Sequence, residues 1–360
     1  MNINEMLIYA DIEHISKIAE HYNCPCNRNS KADTIQSIIY HIFQKDILQE
    51  SIEQLDDIEY TFIQLLYLDS RMKYSIEDLI AKGKQAIDIH NSVAKPKDLI
   101  LQAVKKGWIF SGVGKKYLFV YLIPQDFKDK ILKVVYKNLI KNIKHKEYVN
   151  FYRDESKFMK SDLFSFLKYI KKEKVLLTNE GNIYKKQQKI IFQSFQIQEE
   201  LIKKTAWRFG YGRRYKEYPD RFSLIYDYAY YNKFILEDEL GFLTITTKGE
   251  NYLNCNSLVN DEIKIYKFWI RVYKYSIPYI LIILNTIDLI AYNNWIELNS
   301  LEAHILFWLK DHFYEGKQQV FRERIIKILM HLGAIQVSCD ENFTYIRVTS
   351  KGHNWINGLE

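Results

Sequence analysis

The stretch Trp207-Arg208-Phe209-Gly210-Tyr211-Gly212-Arg213-Arg214-Tyr215-Lys216 concentrates residue types that bind nucleic acid. Aromatic rings stack on bases, and guanidinium groups pair with phosphate oxygens. Two glycines let the backbone come close to a ligand. The same composition suits an inter-helix loop whose rings fill a domain interface while its arginines pair with local acids. Trp207, Arg208, Tyr211, Arg213, Arg214 and Lys216 are the candidate contacts here.

Charge points to the adjoining region. The 360 residues carry a net charge of +7. Residues 133–189 hold 15 Lys and Arg against 6 Asp and Glu, a net +9. The flanks are nearly neutral, with 16 against 18 in residues 1–132 and 20 against 20 in residues 190–360. Such asymmetry marks either a polyanion-facing surface or a solvated, lysine-rich helical face. Lys185, Lys186 and Lys189 close the block and join the candidates.

Catalytic signatures do not stand out. There is no H-E-x-x-H, no G-x-S-x-G and no Cys-His signature with local context. Gly112-Val113-Gly114-Lys115-Lys116 imitates a phosphate-binding loop, but Ile109 stands where the first glycine belongs and Lys116 where Ser or Thr belongs. It reads as a hairpin turn. His21, Cys24 and Cys26 offer metal-binding atoms, yet the spacing is not C-x-x-C and no second pair follows. The expectation is a non-enzymatic protein with no cofactor and no metal site.

Composition bounds the rest. At 48% hydrophobic and 26% charged, the chain can bury two or more cores. With 13 Gly and 5 Pro, neither disorder nor a turn-dense β fold is expected. Four cysteines without an even framework suit a reducing cytosol. The start lacks a basic n-region and a long apolar run. The apolar run Ile277–Tyr292 is interrupted by Asn285 and Asp288 and falls short of a membrane span. A cytoplasmic protein that can associate with the nucleoid is expected.

The elements that must position these residues are mainly helices with small β-hairpins. Ile12, Ile15, Ile18, Ala19 and Tyr22 recur at helical spacing, and Ser30 opens a second helix carrying Ile35, Ile38, Ile39 and Ile42. Two helices this short must pack on something else. Three times afterwards, helices end at Gly or Asn and a two-stranded hairpin follows. Helix 96–106 stops at Gly107, before strands 108–110 and 117–122. Helix 220–231 stops at Asn232, before strands 234–236 and 242–245. Helix 318–332 stops at Gly333, before strands 334–338 and 343–348. Ser161, Ser276 and Ser300 are expected to cap further helices. This is the winged-helix pattern, and the expected domains are 1–50, 51–135, 136–258 and 259–360.

In such modules the third helix enters the major groove and the wing meets the backbone. The last copy would present Gln318, Gln319, Arg322, Arg324 and Lys327. The first would present Lys95, Lys97, Lys105 and Lys106, with Lys115 and Lys116 on its wing.

The segment "VLLTNEGNIYKKQQKIIFQSF" resembles the helicase-associated module at the N-terminus of XPB-like DNA repair helicases and in stand-alone bacterial relatives. Leu177, Thr178, Gly181, Lys185 and Lys186 occupy its LT-x-x-G and basic-helix positions. Gly241-Phe242-Leu243 and Thr246-Thr247-Lys248-Gly249 with Leu253 resemble its ending, which Val348-Thr349-Ser350-Lys351-Gly352 with Trp355 repeats. The N-terminal helix-link-helix resembles the SAP-like fold of nucleic-acid-binding proteins. The resemblance implies a DNA-binding accessory protein of repair, replication or transcription, without a motor. The alternative is an adaptor whose winged helices dock on a polymerase, helicase or chromosome machine.

Overall fold

Three times along the chain a helix, a short strand, two helices and two strands follow in that order, and each time the last strand lies between the other two. This computed structural model describes the chain apart from residues 28, 44–46, 113–119, 204–211, 255–260, 312–314, 341 and 359–360. The described residues are mainly helical with small antiparallel sheets, and they form two compact units, Met1–Lys141 and Asn142–Glu360. The expected segments 1–50 and 51–135 thus share one unit.

The first unit opens with α1 (Ile3–Tyr9), α2 (Ile12–His21), α3 (Lys31–Phe43) and α4 (Ile47–Glu53). Asn2 and Glu5 form a reciprocal capping box, and the Asp11 carboxylate caps α2. The first copy of the repeat follows as α5 (Asp57–Tyr67), β1 (Lys73–Ser75), α6 (Ile76–Ile89), α7 (Pro96–Lys105), β2 (Phe110–Ser111) and β3 (Val120–Leu122). Its sheet order is β1-β3-β2, and α8 (Gln125–Ile140) closes the unit. Gly107 ends α7 in the left-handed region at φ +67°. The N-terminal helices do pack on something else. Trp108 Nε1 donates to Tyr22 Oη at 3.0 Å, and that hydroxyl donates to the Lys106 carbonyl at 3.0 Å. All three groups lie where α2 meets the end of α7.

In the second unit β4 (His145–Lys146) precedes α9 (Phe158–Lys172), β5 (Val175–Leu176), α10 (Lys185–Gln193), α11 (Asp220–Tyr231), β6 (Ile235–Glu237) and β7 (Phe242–Ile245), with sheet order β5-β7-β6. After α12 (Thr247–Asn254) and α13 (Asp261–Tyr273) come α14 (Ile280–Ala291), β8 (Trp295–Glu297), α15 (Leu298–Ile305), α16 (Lys317–Gln319), a π-helical stretch Val320–Ile326, α17 (Lys327–Leu332), β9 (Ile335–Cys339), β10 (Thr344–Val348) and α18 (Ser350–Asn357). Here the order is β4-β8-β10-β9, the repeat's three strands plus one.

The Thr-x-x-Gly motifs that follow the last strand do the same work in the second and third copies. Thr246 Oγ1 donates to the Lys233 carbonyl at 2.6 Å and accepts from Gly249 N at 3.1 Å. Thr349 Oγ1 donates to the Gly333 carbonyl at 2.9 Å and accepts from Gly352 N at 3.0 Å. Each threonine joins the end of the third helix to the start of the closing one. Each glycine lets a carbonyl approach: a Cβ on Gly249 would lie 2.2 Å from Phe234 O, and one on Gly352 2.1 Å from Ala334 O.

Several expected boundaries move. Ser161 lies inside α9, which starts at Phe158, and Ser300 lies inside α15, where its hydroxyl donates to the Glu297 carbonyl. Ser276 precedes α14, which begins at Ile280 after Tyr279. The middle copy's third helix does end after Asn232, but Lys233 is the left-handed residue, at φ +59°.

Candidate nucleic-acid interface

α9 turns Met159, Leu163, Phe166, Leu167 and Ile170 inward. That leaves Lys168, Lys171 and Lys172 exposed near its C-terminal end, where cations suit the helix dipole. Lys171 pairs with Glu250 at 3.1 Å. Lys174 follows, its ammonium 4.2 Å from the Phe242 ring centre.

α10 carries Lys185, Lys186 and Lys189 on its exposed face, while Gln188, Ile191 and Phe192 face inward. Its first turn holds no acid. Cations at a helix N-terminus oppose the dipole, at a cost of about 0.3–1 kcal/mol each. For Lys185 a hydrogen bond from its ammonium to the Ile202 carbonyl at 2.9 Å accounts for the placement; for Lys186 and Lys189 folding alone does not. Gln187 ties this helix to the lysines before it. Its amide nitrogen donates to Lys174 O at 2.9 Å, and its amide oxygen accepts from Leu176 N at 3.1 Å. Lys168, Lys172, Lys174, Lys185, Lys186 and Lys189 thereby gather around the α9–β5–α10 junction.

The arginine loop is different. Trp207, Arg208 and Tyr211 lie outside the described residues, as do Lys115 and Lys116. Arg213 and Arg214 both reach Glu237 Oε2, at 2.6 and 3.0 Å. Arg214 also donates to Glu180 O at 2.6 Å, and Tyr226 donates to the other Glu237 oxygen at 2.7 Å. Burial pushes Glu237 up, but Tyr226 and the two arginines together hold it below the usual carboxylate range. Gly181, at φ +76°, lies under Arg214: a Cβ there would be 2.1 Å from the guanidinium. Both arginines thus pair with local acid, Arg214 half-buried and Arg213 at the surface, where Lys216 is exposed too.

Beside them Gly212 (φ +126°) leaves room for the buried Asp227, whose Oδ2 would lie 1.6 Å from a Cβ. Asp227 accepts from Arg213 N at 3.1 Å, yet burial drives its carboxyl up to about 7.

Burial corrects the expectation for one third-helix residue, Arg324, and encloses most of α11. Residues Arg221 to Ala229 of α11 are all buried, against α9, α13 and α17. Arg221 is 0% exposed; it donates to Asp162 at 2.6 Å, Glu155 at 3.3 Å and the His331 carbonyl at 3.0 Å. His331 Nδ1 lies 2.8 Å from Glu155. Burial raises Glu155, but His331, Arg221 and Arg153 outweigh it and lower the carboxyl. Glu199 accepts the first free N–H groups of α11, from Arg221 at 3.0 Å and Phe222 at 2.8 Å, as a helix start requires.

Arg324, expected to face DNA, is 4% exposed and pairs with Asp220 at 2.6 Å and Glu315 at 2.7 Å. Lys327 shares Asp220 at 3.1 Å. Arg322 is at the surface, held by Glu302 at 2.5 Å and Asn299 at 2.6 Å. The third helices of the second unit thus pack on each other through a buried ionic joint that encloses α11 and Arg324, whereas Gln318, Gln319 and Arg322 at the start of the last one stay exposed. In α11 the crowding of Phe222, Leu224, Ile225, Tyr226 and Tyr228 around Arg221 is the signal in the sequence for such burial. In the first unit α7 keeps an open face, with Lys97, Leu101, Gln102 and Lys105. Lys95 just before it is exposed, whereas Lys106 is held by Glu59 at 3.5 Å.

Burial and the neighbouring Cys26 raise the Cys24 thiol to about 11, so it is no thiolate at neutral pH. Among the described residues no group of three or more His, Cys, Asp or Glu side chains is placed to hold a metal ion. Among them, too, no helix is long and apolar enough to cross a membrane. No protein-family model, no curated protein and no solved structure matches the chain.

Proposed function

We propose that the chain is a non-enzymatic DNA-binding accessory protein of three winged-helix-like modules that contacts phosphates through the α9–β5–α10 junction. The repeated strand order supports the module assignment. The observation that carries the function is the lysine group at that junction, above all Lys185, Lys186 and Lys189 on the acid-free start of α10. Phosphates neutralised there would release counterions, so affinity falls steeply with salt. Anisotropy titrations of the full chain against single- and double-stranded oligonucleotides test this. Salt-sensitive binding is expected, and no binding to either at low salt would overturn it.

A second reading, a protein–protein adaptor, is favoured by one observation. Ile8, Tyr9 and Ile12 crowd an exposed corner where α1 turns into α2, at 51%, 61% and 46% exposure. Contiguous apolar corners of this kind suit a partner such as a helicase or polymerase. Capture from cells that returned nucleic acid but no stoichiometric protein would count against it.

A further inference from the structure

After α10 the chain passes back beside the face that helix leaves exposed. Gln196 N donates to Asp162 Oδ1 at 2.6 Å, the Glu199 carboxylate holds the first N–H groups of α11, and Ile202 O accepts from the Lys185 ammonium at 2.9 Å. The segment 196–203 is thus pinned at three points. Between it and α10 lies an open cavity of about 490 Å3. Proteins enclose small organic ligands in cavities of about 300–1,000 Å3.

The lining has two characters. Phe192 from α10 and the half-buried Leu201 from the segment help to make it mainly apolar. Lys185 and Lys189 stand on one wall and Lys203 on the other. None of the three pairs with a carboxylate among the described residues, and Lys189 and Lys203 make no hydrogen bond there either. Two acids also line the cavity. Both oxygens of Glu199 are taken up by N–H groups at the start of α11, which leaves Glu200 to answer three lysines. Like charges four residues apart on a helix repel, as Lys185 and Lys189 do. Folding gains nothing from this arrangement, and an anion between the walls would relieve it. Gln193 and Gln198 add exposed carboxamides, one on each wall. A carboxamide offers a donor and an acceptor side by side, which matches the edge of a nucleobase and is of no use to a hydrocarbon chain.

We propose that this cavity takes one unpaired nucleotide, its base against Phe192 and Leu201 and its phosphate between Lys189 and Lys203. The proposal rests on the nucleic-acid reading above and deepens it, because the α10 lysines that carry that reading also border the cavity. The shared chemistry is a phosphate joined to a free base. An unpaired end of bound DNA offers it, and so does a free nucleotide. A base within a duplex stays stacked and paired and cannot enter.

The test uses the full chain with thymidine monophosphate, a blunt duplex, and that duplex carrying one unpaired nucleotide with a 5′-phosphate. Calorimetric titration should show the monophosphate bound, and thymidine, which lacks the phosphate, weaker by on the order of tenfold or more. Lys203→Glu should weaken the monophosphate by on the order of tenfold or more, as should Gln198→Trp, which fills the opening. Both side chains are exposed, so the thermal midpoint should hold. Tighter binding of the overhanging duplex than of the blunt one would identify a DNA end as the source. Monophosphate binding without that preference would identify the free nucleotide. Blunt-duplex binding with neither monophosphate affinity nor an overhang preference would overturn the proposal while the broader reading stands. So would octanoate bound as tightly as the monophosphate, or monophosphate affinity that both variants leave unchanged. Monophosphate binding with neither duplex bound would fell the broader reading alone, and absence of all binding would fell both.

Discussion

Arg221 and Asp162, 59 residues apart in the chain, meet at 2.6 Å with both side chains sealed from solvent. Their contact joins α9 to the first turn of α11, where Glu155 and His331 also converge. A buried pair is sensitive to the loss of one partner, because the other is left charged and dry.

Asp162→Ala should therefore destabilise the second unit by about 3–5 kcal/mol. Replacing Arg221 and Asp162 together by Met and Leu should cost less than the two single losses summed, because neither of that pair is left charged and alone. Chemical denaturation of the full chain, followed by tryptophan fluorescence, measures all three variants. Losses that simply add would refute the account.

Lys185→Glu, Lys186→Glu and Lys189→Glu together should weaken DNA binding on the order of tenfold or more and lower the salt slope by about 2–3. Arg324→Ala should do the opposite, lowering stability while leaving affinity alone, since its guanidinium is engaged by Asp220 and Glu315. A fall in affinity for Arg324→Ala without a fall in stability would put that side chain back at the interface.

Asp227 gives a pH dependence of definite sign. Its carboxyl titrates near 7 in the folded chain, against 3.8 ordinarily. The folded state therefore holds a proton that the unfolded state releases, and this contribution to stability is lost as pH rises from about 4 to 7. Asp227→Asn should remove that slope and be the more stable protein above pH 7, by an amount on the order of a few kcal/mol. Denaturation at pH 5 and pH 8 checks it. A difference between variant and wild type that does not grow with pH would contradict the assignment.

Glycine substitutions separate packing from flexibility. Gly352→Ala drives a methyl into the Ala334 carbonyl and should cost about 1–3 kcal/mol. Gly316→Ala meets nothing within 4 Å and sits at φ −68°, so its effect should stay within about 0.5 kcal/mol. Thermal midpoints of the two variants give the comparison.

Much of the fold was legible from local signals. The span of α11 and the stop at Gly333 follow from apolar spacing and a left-handed glycine. The hairpins, too, announce themselves by turn residues between apolar runs. Ser161 and Ser300 misled because a serine hydroxyl can serve inside a helix as well as before one. The candidate site was legible for Lys185, Lys186 and Lys189, whose exposure follows from the pattern of their own helix. It was not legible for Arg213, Arg214 and Arg324. Their partners, Glu237 and Asp220 above all, are brought close by tertiary packing that no local spacing encodes. The cavity beside α10 passed unnoticed because the segment 196–203 looks like any other link until its path is known.

Gln187 carries one more consequence. By bonding to both Lys174 O and Leu176 N, its carboxamide occupies the outer edge of β5 as a neighbouring strand would. Open strand edges recruit other chains and seed aggregates. A single side chain thus closes this margin of the molecule to unwanted self-association, while leaving the lysines around it turned to the solvent.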